Sequence, residues 1–137
     1  MPFEVSWYHN QRVIFWRIWG QVTLEEIAQM GREQQKLLSA GTPPVHTIAN
    51  ITDVSTFPTD LRLLKEALDG VNHPNIGWVL AVGTTTPLKR FITTTATQMV
   101  IPSVRLRMFN DMIETIEFLR HIDSTAAVAS NDQRASI

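Results

Sequence analysis

Cysteine is absent from this chain of 137 residues, which excludes disulfides, thiol catalysis and cysteine-ligated zinc. An excess of one charge is also missing. Twelve Lys and Arg stand against 13 Asp and Glu, a net charge of −1, whereas a general nucleic-acid binder shows a strongly basic face. Nucleic acid is therefore not an expected partner. No hydrophobic run is long: the most continuous, "IGWVLAVG" from Ile76, is far too short to cross a bilayer, so no membrane span is expected. The segment "MPFEVSWYHN" lacks the basic stretch and apolar core of a signal peptide, and the expected location is the cytoplasm.

What is present is an ordinary globular composition, 44% hydrophobic, in a chain long enough to bury roughly two-thirds of its unfolded surface. "FEVSWY" alternates like a half-buried strand, "HNQR" turns, and "VIFWRIW" is a second strand. So short a connection makes the pair antiparallel. Val13, Phe15 and Trp19 point to one side of the second strand and Ile14, Trp16 and Ile18 to the other, so both faces are expected to be covered. Thr23 and Glu26 form a capping box ahead of a helix that carries Leu24, Ile27, Ala28, Leu37 and Leu38 and stops at Gly41. "VHTIANI" is the third strand. Leu61, Leu64, Leu68 and Val71 then mark one face of a helix predicted from about Thr59 to Val71.

"IGWVLAVG" reads as a central parallel strand. Thr86 and Pro87 open a third helix, with Leu88, Phe91, Ile92, Ala96 and Met99 as its expected buried face. "SVRLRMF" is a fifth strand with Arg105 and Arg107 outward, and Asn110 is the expected cap of the last helix. Residues 1–122 form the expected single domain, and from Asp123 onward the chain is small, polar and aperiodic, an expected disordered tail. The order β-β-α-β-α-β-α-β-α predicts an α/β fold: a five-stranded, mostly parallel sheet with an antiparallel N-terminal hairpin.

The opening hairpin, "HTIANITDVSTF" running into a helix, and the closing "RLRMFNDMIETIEFLRHI" together resemble STAS, or SpoIIAA-like, domains over about residues 3 to 122. The resemblance implies a regulatory or protein-interaction module. In the anti-sigma-factor antagonists of that group, the turn after the third strand carries a phosphorylatable serine in an Asp-Ser-Ser/Thr-Gly-like context. Here the corresponding stretch, with Asp53, Ser55, Thr56, Thr59 and Asp60, has the hydroxyls and acids but no Asp-Ser pair and no glycine. Relatives without the serine motif include proteins of unknown function and others likened to lipid-binding domains, which implies binding rather than chemistry.

Three clusters are candidate sites. In the hydroxyl turn, Thr59 is read either as a helix N-cap, with Asp60 complementing the helix dipole, or as an acceptor for a phosphoryl group at the helix start. "GTTTPLKR" offers Thr85, Thr86, Lys89 and Arg90 as a candidate anion site, which Arg105 and Arg107 would sharpen by converging on Lys89. The tryptophans Trp7, Trp16, Trp19 and Trp78 are candidate interface or ligand aromatics. Sequential crossovers gather helices on one face of a sheet and leave aromatic surface on the other, so a homodimer is expected. The four histidines are scattered without metal-ligand spacing, so neither a metal nor a cofactor is expected. No nucleophile–base pair is recognisable. The sequence therefore reads as a non-enzymatic interaction module, with its protein partner unidentified. The alternative is a carrier or sensor of a small apolar or anionic ligand held between sheet and helices, in a cavity ringed by Trp16, Trp78 and Phe91.

Overall fold

The structure, a computed structural model, describes residues 3–101 and 104–123. Its strands are β1 (Phe3–His9), β2 (Val13–Gln21), β3 (Val45–Thr56), β4 (Ile76–Val82) and β5 (Arg105–Phe109). Its helices are α1 (Leu24–Ala40), α2 (Leu61–Ala67), α3 (Pro87–Val100) and α4 (Met112–Ile122), with a 3-10 turn at Asp69–Val71. The predicted order of elements is the observed one. The predicted tail beyond Asp123 lies outside the described residues, but Asp123 itself belongs to the fold: its N–H bonds the carbonyl of Leu119 at 2.8 Å.

The five strands lie in sequence order, β1-β2-β3-β4-β5, with β1 antiparallel to β2 and the rest parallel. Each new parallel strand is added on the same side, so right-handed crossovers send every intervening helix to one face. That face holds Ile27, Met30 and Leu38 of α1, Leu64 of α2, and Ile92, Ala96 and Val100 of α3, packed on Ile14, Trp16, Ile18 and Ile51. Among the described residues no strand follows β5, and α4 folds onto the opposite face, where Ile116 and Leu119 meet Val13, Ile48, Leu80 and Val82. As expected, both faces of β2 are covered, Ile14, Trp16 and Ile18 by one layer and Val13 and Phe15 by the other, with Arg17 left exposed.

Local signals set most boundaries. Thr23 and Glu26 form the full reciprocal capping box of α1, and Thr86 caps α3 with Pro87 in its first turn. Two caps sit one residue later than expected. Asp60, not Thr59, accepts the Leu63 N–H, and Asp111, not Asn110, accepts the Glu114 N–H. The predicted second helix is also shorter: α2 ends at Ala67, and the chain tightens into the 3-10 turn, which still delivers Val71 to the core.

On α3 the buried stripe runs along Ile92, Ala96 and Val100, an i+4 row that drifts around the helix. Leu88 and Phe91, expected inside, are left 62% and 58% exposed.

Candidate functional site

A cavity of about 140 Å³ lies between the sheet and α1, α2 and α3. Its cause is a layer of small residues on facing elements: Ala49 and Ala81 on the sheet look toward Thr93, Ala96 and Thr97 on α3. Larger neighbours such as Met30, Ile51, Phe57 and Leu64 close the sides but do not fill the middle. An engineered cavity of about 150 Å³ lined by aliphatic and aromatic side chains stays dry and binds benzene, so this space matches a single ring. Among the described residues no Asp, Glu, Lys, Arg or His lines it. Trp16 lines the cavity as expected; Trp78 and Phe91 do not, because Trp78 faces α4 and Phe91 faces outward.

One wall is polar. Trp16 Nε1 donates to Gln34 Oε1 at 2.7 Å, and Gln34 Nε2 donates to Thr47 Oγ1 at 2.7 Å. Gln34 is wholly buried on α1, the kind of position that is costly unless every polar atom finds a partner. The chain of bonds ties β2, α1 and β3 together behind the cavity.

The hydroxyl stretch is not a turn. Asp53, Ser55 and Thr56 are exposed residues of β3, which runs on to Thr56 beside Trp19, Gly20 and Gln21 of β2. Two register shifts against β2 each place an extra residue on β3, and such bulges bend a strand without ending it. Asn50 supports the first by accepting from both the backbone N–H and the hydroxyl of Thr52. The polar pair Thr52-Asp53 is thus a bulge, where the sequence reading ended the strand. Thr59 is exposed ahead of α2, and the Asp60 carboxylate already occupies the helix start.

The cationic candidates divide between two faces. Lys89 Nζ lies 3.3 Å from the carbonyls of Ile51 and Thr52, capping the bent part of β3, and Arg90 Nη1 reaches the carbonyl of Thr84 at 3.5 Å. Thr85 is exposed, and the Thr86 hydroxyl is taken by the Lys89 N–H. Arg105 and Arg107 pair with Trp78 and Leu80 across β4–β5 and share their side of the sheet, where Arg107 lies over the Phe118 ring at 4.8 Å. They do not converge with Lys89. Gly83, at φ +86°, lets the chain leave β4 hard against Thr52: a Cβ there would come within 2.3 Å of the Thr52 hydroxyl. Beside it, the buried Thr84 hydroxyl has no hydrogen-bond partner among the described residues.

The tryptophans divide likewise. Trp7 and Trp16 pack toward α1–α3, while Trp78 meets Phe118 edge-on at 5.1 Å on the α4 side. Trp19 carries the Arg17 guanidinium 5.2 Å from its ring.

A charged cluster escaped the sequence reading. His46, buried on β3, accepts the Trp78 N–H at Nδ1 (3.0 Å), and its Nε2 faces Asp123 at 3.1 Å. Arg12 pairs with the same carboxylate. Because a backbone donor fixes Nδ1 as the acceptor, the proton sits on Nε2 and points at Asp123. Burial draws the imidazole pKa below its ordinary value, outweighing the upward pull of the Asp123 hydrogen bond and charge; the Arg12 and Arg105 charges add to the lowering. With Nδ1 bonded to a backbone N–H, the ring is no general base. The cluster fastens the end of α4 to the start of β2 and β3. Among the described residues no group of acidic and histidine side chains has the makings of a metal site, and no helix is long and apolar enough to cross a membrane.

In comparisons with known proteins, no family model matches the chain and no curated protein matches it.

Proposed function

We propose that this chain is a non-enzymatic cytoplasmic module that carries or senses a small apolar ligand. The cavity over the middle of the sheet carries this reading. Apolar lining left facing this space lacks partner atoms, and a ligand would supply those contacts. The position also suits sensing: α1, α2 and α3 all contribute to the wall, so occupancy bears on three helices at once. The resemblance to STAS domains, some of whose relatives are likened to lipid-binding proteins, agrees with a binding role.

A second reading is favoured by Leu88 and Phe91, exposed together on α3. It makes the chain an STAS-like interaction module that buries this pair against a partner or a second copy. Ser55, Thr56 and Thr59 are accessible for phosphorylation in that reading, and the phosphate would act by adding surface charge rather than by capping α2.

Native mass spectrometry of the protein from its own host, repeated after denaturation, tests both. The carrier reading expects a non-covalent excess mass that is lost on denaturation and missing from Ala96→Leu, whose longer side chain fills the cavity. A dimer of bare chains, with no excess mass, would replace it with the interaction module. Retained steps of one phosphate would add the switch.

A further inference from the structure

The polar wall of the cavity has its hydrogen bonding fixed by elimination, and that fixes what the cavity can hold. An indole N–H only donates, so the oxygen of the Gln34 amide must face Trp16. The NH₂ end then faces Thr47, and Thr47 Oγ1 must accept. A hydroxyl that accepts still carries its own proton. Thr47 is 4% exposed and lines the cavity, and among the described residues nothing accepts that proton. On the α3 side, the Thr97 hydroxyl gives its proton to the Thr93 carbonyl at 2.6 Å, and Thr93, which also lines the cavity, is only half-buried, so neither makes the demand of a fully buried proton. The three-residue chain runs in one direction, Trp16 to Gln34 to Thr47, and each bond polarises the next, which strengthens Thr47 as a donor.

We propose that Thr47 anchors the ligand, and that the ligand is a small neutral apolar molecule with one hydrogen-bond-accepting oxygen, of the aryl ketone or aldehyde class. The inference rests on the cavity reading and adds a polarity to it. The volume suits one ring. Among the described residues no charged side chain lines the cavity, so a carboxylate or ammonium would be stranded without a counter-ion. A pure hydrocarbon would fill the space but leave the Thr47 proton without an acceptor, a buried polar group that costs free energy.

The test is calorimetric titration of the full chain with acetophenone and with α-methylstyrene, which has the same shape but a CH₂ in place of the oxygen. Both are measured on wild type, Thr47→Val and Thr47→Ser. Thr47→Val is expected to weaken acetophenone about three- to tenfold, the worth of one neutral hydrogen bond, and to leave α-methylstyrene within about twofold; Thr47→Ser restores acetophenone binding. Equal effects on both ligands, or none on acetophenone, would overturn the anchor while leaving the cavity reading intact. Failure of both ligands to bind wild type would remove the cavity reading itself. Should Thr47→Val not fold, the infrared carbonyl stretch of acetophenone bound to wild type decides: a shift to lower frequency than in alkane supports the anchor, and an alkane-like frequency overturns it.

Discussion

His46 and Gly77 show how a single residue type is dictated by its neighbour. β4 carries an extra residue where Val45 pairs with Ile76 and Thr47 with Val79, and the chain there runs so close to the imidazole that a Cβ on Gly77 would stand 2.5 Å from Nδ1. Only glycine leaves room for the ring and for the Trp78 N–H that bonds it. Burial holds the histidine's pKa below its ordinary value, about 6.5, in the folded state. Above that value neither state is protonated and pH has no purchase on the group. As pH falls below it, the unfolded chain takes up a proton that the folded one refuses, so stability declines until the lowered native pKa is passed. Urea denaturation at pH 7.5 and 5.5, compared between wild type and His46→Gln, is expected to show the larger acid loss in wild type; a larger loss in the variant would contradict the account. None of this was legible in the sequence. His46 and Asp123 lie 77 positions apart, Arg12 and Asp123 lie 111 apart, and Trp16, Gln34 and Thr47 meet only because α1 lies across β2 and β3. Pairings of that kind carry no short-range pattern.

Elements were read well where the chemistry is local and unambiguous, and slipped where two adjacent residues offer the same chemistry. The Thr23–Glu26 box and the Thr86-Pro87 start are reciprocal or paired signals, and both are found. Thr59-Asp60 and Asn110-Asp111 are each two good caps in a row, and in each the second is used. The choice follows from which residue's side chain reaches the N–H three positions on, a matter of where the incoming chain bends. Asp60→Ala is accordingly expected to cost about 1 kcal/mol of stability and Thr59→Ala only a few tenths, measured by chemical denaturation. The reverse order would return the cap, and with it the phosphate-accepting position, to Thr59. The end of β3 differs from its expected place for another reason: Thr52 and Asp53 interrupt the apolar run, but a bulge absorbs them and Val54 returns to the core at 5% exposure. Period-two reasoning has no place for an extra residue.

At the scale of the molecule, sequential strand order accounts for the architecture: three crossover helices on one face, one closing helix on the other, and two separate apolar layers. The alternation of β2 and the continuous apolar run of β4 announced that sheet in advance. The tryptophan count pointed to an aromatic face on one side, whereas Trp7 and Trp16 belong to one layer, Trp78 to the other and Trp19 to neither, with Trp16 alone in the cavity wall. The cavity had a weaker sequence signal, the small-residue run "TTTAT" on α3 opposite Ala49 and Ala81, which acquires meaning only once the facing strands are known. A ligand carrier of this architecture requires that the apolar space take a guest. The most direct measurement is a crystal of the protein held under xenon pressure. The account predicts one ordered xenon atom among Trp16, Thr47, Ala81 and Ala96, displaced in Ala96→Leu; a wild-type core that admits no xenon there would contradict it.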